Sequence, residues 1–434
     1  MPSPKPLCSA DELLSGRWQR RSPPLRSIDQ VVEAYNYRPY KALTTEDHGI
    51  VNTWETRQDG MYCSVEYVKN VTEDTLRKDE QRILNVASWQ WQSDAHQRGE
   101  CRIEQWDWNR VVKRLVMSPA GLVFIGDSIT AQQYDSFALL LGNKPPIIER
   151  VISPHERRLN AGRALFLDPA HPLSIELLQE LPFKVPLERI ERPLVQSMRS
   201  NYMTTEADIK AANLTLSHGS HELRPTDFDD NLTRLVGDNG TVSNDVPWMS
   251  SIIVTSVGNW WERYIDASDS VSEALEQYKF AMQRAFARLD RLSRQQQYTV
   301  VYRSVNRGTL ECERHSEPIE PTNKTSVDQI GAYAWYLKQP MSDMWRSMLS
   351  KVVEQGDDRV VLNGDLTTDE GAGSKRDLTR RARWISLDIE DMSYQRPEAH
   401  RYPGMDCLHW CLPSVLDDWN WAMWHLLQRN EPME

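Results

Sequence analysis

Long hydrophobic runs are missing from this sequence. No apolar stretch approaches the roughly 18 residues that span a bilayer; the longest are short pieces such as Gly121–Gly126 and Phe137–Gly142. No apolar core follows Met1-Pro-Ser-Pro-Lys-Pro, so no signal peptide opens the chain. Positive charge is not in excess either: 51 basic against 62 acidic residues leave −11. That balance argues against a nucleic-acid groove or a polybasic membrane surface. Paired C-x-x-C knuckles are absent, which leaves a zinc reading weak, and no repeat or low-complexity tract marks a solenoid or a linker.

What is present describes a globular protein. The chain has 434 residues, 40% hydrophobic and 26% charged, which fits one large α/β domain or two smaller ones. Tryptophan is over-represented, with 16 residues. Two readings are open: indoles that fill a core, or indoles that stack on sugar rings. Six cysteines lie at 8, 63, 101, 312, 407 and 411, and five N-x-S/T sequons at Asn70, Asn213, Asn231, Asn239 and Asn323. The sequons favour a secretory route and hence disulfides. With no signal peptide in view, the expectation is that a signal or membrane anchor precedes this chain; the alternative is a cytosolic protein with free thiols.

Residues 1–110 are aromatic and irregular and hold three of the six cysteines, as expected of a segment packed on a larger body. Residues 111–434 read as that body. Gly121-Leu-Val-Phe-Ile is a strand that Gly126-Asp127-Ser128 closes, and Gln132–Leu141 follows with helical spacing. Strands are predicted again at Ser251–Val257, Tyr298–Tyr302 and Trp384–Ile389, and helices over Val271–Leu292, Met341–Val353 and Val415–Leu427. Alternation of this kind predicts a parallel sheet with helices on both faces and chemistry at the carboxyl ends of its strands. The polar stretch at about 143–250 reads as an insertion of loops and short helices over one edge.

Three blocks at strand ends or on loops carry reactive groups. In Gly126-Asp127-Ser128 a strand turns sharply into a helix, whose N-terminal N–H groups point at whatever the serine attacks; the bland alternative is a Ser/Asp helix cap. In Asp406-Cys-Leu-His409 the carboxylate can hold one imidazole nitrogen and leave the other for a serine proton; the alternative is a surface pair capping the next helix. In Ser256-Val-Gly258-Asn259-Trp260-Trp261 a glycine N–H and an asparagine amide are donors suited to an oxyanion, or simply a turn. His425 and the other histidines outside the Asp406 block and the Arg396–His400 stretch read as structural or solvated. A metal pair at His218-Gly-Ser-His221 has no third ligand in range.

These blocks resemble the trichome-birefringence-like / PC-esterase family, SGNH-fold polysaccharide O-acetyltransferases of the plant Golgi with fungal relatives. Most specific is Asp406-Cys-Leu-His409-Trp-Cys-Leu-Pro-Ser-Val-Leu-Asp-Asp-Trp-Asn420, which departs from the family pattern at Ser414 and Asp418. Cys8 through Trp18, Trp89-Gln-Trp91 with Cys101, Val300-Val-Tyr-Arg303-Ser ahead of Cys312, and Arg396-Pro-Glu-Ala-His400 are similar to other family stretches. An arginine expected after the serine is absent from Ser128-Ile-Thr-Ala-Gln132-Gln133, and Asn259 stands where plant members carry histidine.

The resemblance implies an SGNH-like three-layer α/β fold with a central parallel sheet and a disulfide-tied N-terminal segment. It implies a nucleophile Ser128, a base His409 and an orienting Asp406, with Ser128, Gly258 and Asn259 at the oxyanion. Substrate-binding candidates are Asp127, Gln133, Trp260, Trp261, Arg303 and Trp410. The disulfides implied are Cys8–Cys101, Cys63–Cys411 and Cys312–Cys407. No bound cofactor or metal is required, only an acetyl donor. The partners implied are a polysaccharide acceptor and a membrane protein that delivers acetyl groups, with no nucleic acid, in the Golgi lumen or outside the cell. Acetyl transfer to a sugar hydroxyl, hydrolysis by the same triad, and non-catalytic carbohydrate binding are the three functions to separate.

Overall fold

The computed structural model describes residues 5–37, 63, 73–142, 145–151, 163–211, 247–266, 268, 270–296, 298–320, 335–354, 360–361, 383–401 and 406–433. All five sequons and the His218/His221 pair lie outside these residues.

The N-terminal segment is more regular than its sequence suggests. Strand β1 (Gly16–Arg20) pairs antiparallel with β2 (Trp89–Ser93), setting Trp18 opposite Trp91 with ring centroids 5.7 Å apart. Between them in sequence runs helix α1 (Glu73–Ala87). Its burial rests on Ile83, Val86 and Ala87 at one end, too few apolar positions in a charged sequence to show a clear helical stripe.

Among the described residues the central sheet has eight strands in the order β4-β5-β6-β3-β7-β8-β10-β9. These are β3 (Leu122–Gly126), β4 (Ile147–Val151), β5 (Arg163–Leu167), β6 (Val195–Arg199), β7 (Ser251–Ser256), β8 (Tyr298–Arg303), β9 (Val360–Val361) and β10 (Arg383–Leu387). Only β5 runs against the rest. The expected strands at 121, 251, 298 and 384 are all present. The stretch at 143–250 corrects the expectation: it contributes β4, β5 and β6 to the sheet itself, and β6 lies directly beside β3. Glu149, Arg163, Gln196, Ser197 and Arg199 interrupt the apolar pattern of these strands, which is why they read as loop.

Side-chain alternation splits the sheet between two cores. Leu122, Phe124, Ile252, Val254, Val301 and Ile385 face one; Val123, Ile125, Ile253, Val300 and Trp384 face the other. The first core holds helix α2 (Ser128–Leu141) and the C-terminal helix, together with Cys8, Leu13, Trp18 and Ile83 of the N-terminal segment. The second holds Trp261 of α3 (Asn259–Asp266), then α4 (Val271–Gln296) and α5 (Lys338–Glu354). Helix α6 (Val415–Asn430) completes the first layer. The result is a three-layer α/β fold with a mostly parallel sheet. Among the described residues no helix is long and apolar enough to cross a membrane.

The six cysteines form three disulfides, Cys8–Cys101, Cys63–Cys411 and Cys312–Cys407, with Cα separations of 4.9, 4.4 and 5.6 Å. Cys63 and Cys411 are 348 residues apart in sequence, so that bridge joins the N-terminal segment to the loop before α6. In the loop-closure account the two bridges that span 93 and 95 residues each remove about 5 kcal/mol of unfolded-chain entropy, and the bridge that spans 348 removes about 6 kcal/mol. The tryptophan excess resolves toward packing. Trp261, Trp345, Trp384, Trp410 and Trp419 are among the largest fully buried side chains.

Helix α6 begins with a capping box in which the Ser414 N–H donates to Asp417 Oδ2 at 2.8 Å. Asp417 also accepts from Tyr37 and Ser136. Its neighbour Asp418 is buried too, and burial together with the Asp417 charge pushes its carboxyl up to about 7. A carboxyl raised in the folded state stabilises the protein below the ordinary value of about 4, and that contribution is lost as pH rises toward 7. Asp418→Asn should therefore flatten the fall in stability between pH 5 and pH 8, by roughly 2–4 kcal/mol. Thermal melts of both proteins at the two pH values measure it; parallel pH curves would contradict it.

Candidate active site

Gly126 ends β3 where no side chain fits: a Cβ there would lie 2.2 Å from the Ser256 carbonyl oxygen on β7 and 2.4 Å from Thr130 Oγ1. The chain then turns at once into α2. Asp127 caps that helix, accepting the Ile129 N–H at 3.1 Å. Ser128 is the first helical residue and is half-buried, so its hydroxyl stands at the positive end of α2.

The second half of the site comes from the loop before α6. His409 Nε2 lies 2.8 Å from Ser128 Oγ, across 281 positions of sequence. His409 Nδ1 donates to the Asp406 carboxylate, 2.9 and 3.0 Å from its two oxygens. The backbone N–H groups of Leu408 and His409 add bonds of 3.3 and 3.1 Å to Asp406 Oδ1. Arg401 Nε donates to Asp406 Oδ2 at 3.1 Å.

The electrostatics follow from these contacts. Burial alone would raise the Asp406 carboxyl. The hydrogen bond and charge of His409, with Arg401 behind them, reverse this and hold it well below the ordinary carboxylate range. Burial holds the His409 ring below the usual histidine value, against the pull of Asp406. A neutral imidazole with its proton on Nδ1 presents an acceptor at Nε2, facing the serine hydroxyl.

The loop is fixed from several sides. Cys411 N–H donates to the Ala399 carbonyl at 2.8 Å, and Arg401 N–H to the His409 carbonyl at 3.0 Å. His400 stacks on Trp410 at 3.9 Å, with its Nδ1 3.1 Å from the His409 carbonyl; burial keeps it neutral, its value pushed down to about 3. Gln132 on α2 grips Trp410 twice, accepting its N–H at 3.1 Å and donating to its carbonyl at 3.2 Å. Gln132 thus has a structural role that the sequence did not signal.

Five of the six substrate-binding candidates prove to be interior. Gln133 is fully buried and donates to Asn420 on α6 at 3.2 Å. Trp261 is sealed between Tyr202 and Tyr278, with its indole N–H on the Tyr202 carbonyl. Arg303 is buried, donates to Thr130 at 3.1 Å and lies over the Trp419 ring; burial lowers it to about 10. Trp410 lies under His400. Asp127 is 1% exposed and accepts two bonds from Asn259. None of these five side chains is open to a substrate. Trp260 is half-buried against the second core.

Asn259 has a task that the sequence did not reveal. Its Nδ2 donates to Asp127 Oδ2 at 3.0 Å, its N–H to the same oxygen at 3.3 Å, and its Oδ1 accepts from the buried Lys338, which also pairs with Glu262. It thus locks the cap beside Ser128. Gly258, just before it, packs against Val305: a Cβ there would lie 2.5 Å from Val305 Cγ1. His425, as its sequence context suggests, is structural. It accepts the Glu104 N–H at 2.9 Å on Nδ1 and bonds the Cys8 carbonyl at 2.8 Å through Nε2.

A serine on a strand-to-helix turn, facing an Asp–His pair from a C-terminal loop across a mostly parallel sheet, is the arrangement of a GDSL/SGNH-like acyl-esterase. The chain belongs to the PC-Esterase family, the GDSL/SGNH-like acyl-esterases found in Pmr5 and Cas1p, whose family model matches residues 116–426. Two curated relatives from Arabidopsis thaliana match short stretches. Xyloglucan O-acetyltransferase 1 is 40% identical over 58 residues, 10% of this chain and 14% of the relative. Protein trichome birefringence-like 39 is 43% identical over 51 residues, 10% and 13% of the two chains. The chain thus matches only about a seventh of these relatives' length.

Proposed function

We propose that this protein is an O-acetyltransferase that moves an acetyl group onto a polysaccharide hydroxyl through an acetyl-serine intermediate. The observation that carries the reading is the 2.8 Å approach of His409 Nε2 to Ser128 Oγ, with Asp406 on the opposite ring nitrogen. Ser128 Oγ attacks the acetyl carbonyl and gives its proton to His409. The oxyanion is received by the Ser128 and Gly258 N–H groups and by the second amide hydrogen of Asn259. Collapse expels the donor's leaving group, protonated by His409, and leaves acetyl-Ser128. A sugar hydroxyl, deprotonated by His409, then attacks the acyl carbon, and collapse expels Ser128 Oγ, which takes the proton back from His409. Asp406 stabilises the imidazolium in both halves. No step calls on a metal or a bound cofactor. The relative's name supports a polysaccharide acceptor, and the disulfides support a secretory compartment, with a membrane protein delivering the acetyl group.

Incubation with an acetyl donor and a panel of wall oligosaccharides, read by mass spectrometry, separates the outcomes. A gain of about 42 Da on a sugar marks transfer, and a loss of about 42 Da marks hydrolysis through the same intermediate. No change, with no adduct at Ser128, would overturn the reading in favour of binding alone.

Asn259 supplies a finer check. Asn259→Ala removes an oxyanion donor and one partner of Asp127, so kcat should fall roughly 10²–10³-fold with KM little changed. An effect confined to KM would make Asn259 a substrate-binding residue.

A further inference from the structure

Arg401 follows His400 at the end of a stretch that packs against the His409 loop. Its side chain is 6% exposed, and its Nε lies 3.1 Å from the outer oxygen of Asp406. Its backbone N–H meanwhile binds the His409 carbonyl at 3.0 Å. One residue therefore touches both members of the Asp–His pair, one through its side chain and one through its backbone. We propose that Arg401 is a positioning residue for acyl transfer: it fixes Asp406 and places a permanent positive charge behind the Asp406–His409 pair, which keeps the site competent in mildly acidic solution. The proposal rests on the acyl-transfer reading above.

Two physical effects follow from that placement. The guanidinium holds Asp406 Oδ2 while Nδ1 of His409 lies between the two carboxylate oxygens, so the carboxylate cannot swing away from the ring. The charge also opposes protonation of His409. Other charges bear on the ring: Asp406 and Asp127 favour the imidazolium, and Arg401 disfavours it. His400 beneath the loop is neutral, and Arg82 of α1 reaches the His400 carbonyl from the N-terminal segment. Among the described residues Arg401 is a cation that touches the pair directly. Burial lowers the ring first and the Arg401 charge adds to it, so His409 stays an acceptor to lower pH than burial and the Asp406 and Asp127 charges alone would allow.

The test uses the full disulfide-bonded chain and a fluorophosphonate probe. Ser128 Oγ forms a bond to phosphorus, fluoride leaves, and His409 takes the serine proton, so the labelling rate reports the neutral fraction of His409. In Arg401→Gln the acid midpoint of labelling should rise by roughly one pH unit. The His409 resonances of 15N-histidine-labelled protein should shift their midpoint by the same amount. In Arg401→Lys the charge remains but the fork geometry does not, so the midpoint should stay within about 0.3 unit while the plateau rate falls roughly 10-fold. An Arg401→Gln protein that melts like wild type with an unmoved midpoint overturns the proposal. Should that variant not fold, Arg401→Lys decides, and wild-type labelling at every pH overturns it. If wild-type Ser128 takes no probe at any pH, the acyl-transfer reading fails, while the resonance midpoint still tests Arg401.

Discussion

Ser128→Ala is expected to abolish acetyl turnover while leaving the fold untouched. The hydroxyl bonds to His409, and the cap of α2 is Asp127, so removing one oxygen from Ser128 leaves the turn's own hydrogen bonds in place. Gly126, Asn259 and the β3–β7 pairing that frame the turn do not involve the serine side chain. A lost nucleophile in a serine triad lowers kcat by about 10⁵–10⁶-fold. The expected result is a variant with the wild-type melting temperature, unchanged saccharide binding, and acetyl transfer lowered by that factor, the remainder coming from the oxyanion donors and substrate binding alone. Residual activity within 10²-fold or so of wild type would remove Ser128 from the mechanism.

Asp406→Asn is expected to cost nearly as much by a different route. The carboxylate accepts from four donors: His409 Nδ1, the backbone N–H groups of Leu408 and His409, and Arg401 Nε. An asparagine oxygen retains some of them, but its amide nitrogen must face another donor. If it turns toward His409, Nδ1 has to become the acceptor and the ring proton moves to Nε2, facing Ser128 with the wrong polarity. If it turns toward Arg401, two donors oppose each other in a largely buried place. The first outcome lowers kcat by about 10⁴-fold with substrate binding preserved. Initial rates across substrate concentration separate kcat from KM. A variant impaired only in KM would show that Asp406 binds substrate and does not orient the histidine.

The reactive blocks were legible because each is local. Gly126-Asp127-Ser128 closes an apolar run, Asp406 and His409 stand three apart, and the carboxyl-end rule for parallel sheets says where such blocks meet. Contacts set by tertiary packing were not legible. Trp261, Trp410 and Arg303 look like ligand-binding residues in sequence, yet each lies wholly inside a core. Asn259 looks like a free donor until Asp127 and Lys338 are placed around it. Arg401 carries no motif and gains its importance from a segment that packs against the His409 loop. Strands β4 to β6 escaped for a related reason. Their outer positions carry Arg, Glu and Gln side chains whose partners come from elsewhere in the fold, as Arg163 finds Asp135 on α2.

The central claim is that an acetyl group resides on Ser128 during turnover. Rapid quenching with an activated acetyl ester, followed by peptide mass spectrometry, tests it directly. The peptide containing Ser128 should gain about 42 Da in the wild-type protein, and the label should vanish when a sugar acceptor is added before the quench. An unlabelled Ser128 peptide in a protein that still transfers acetyl groups would contradict the acetyl-serine intermediate.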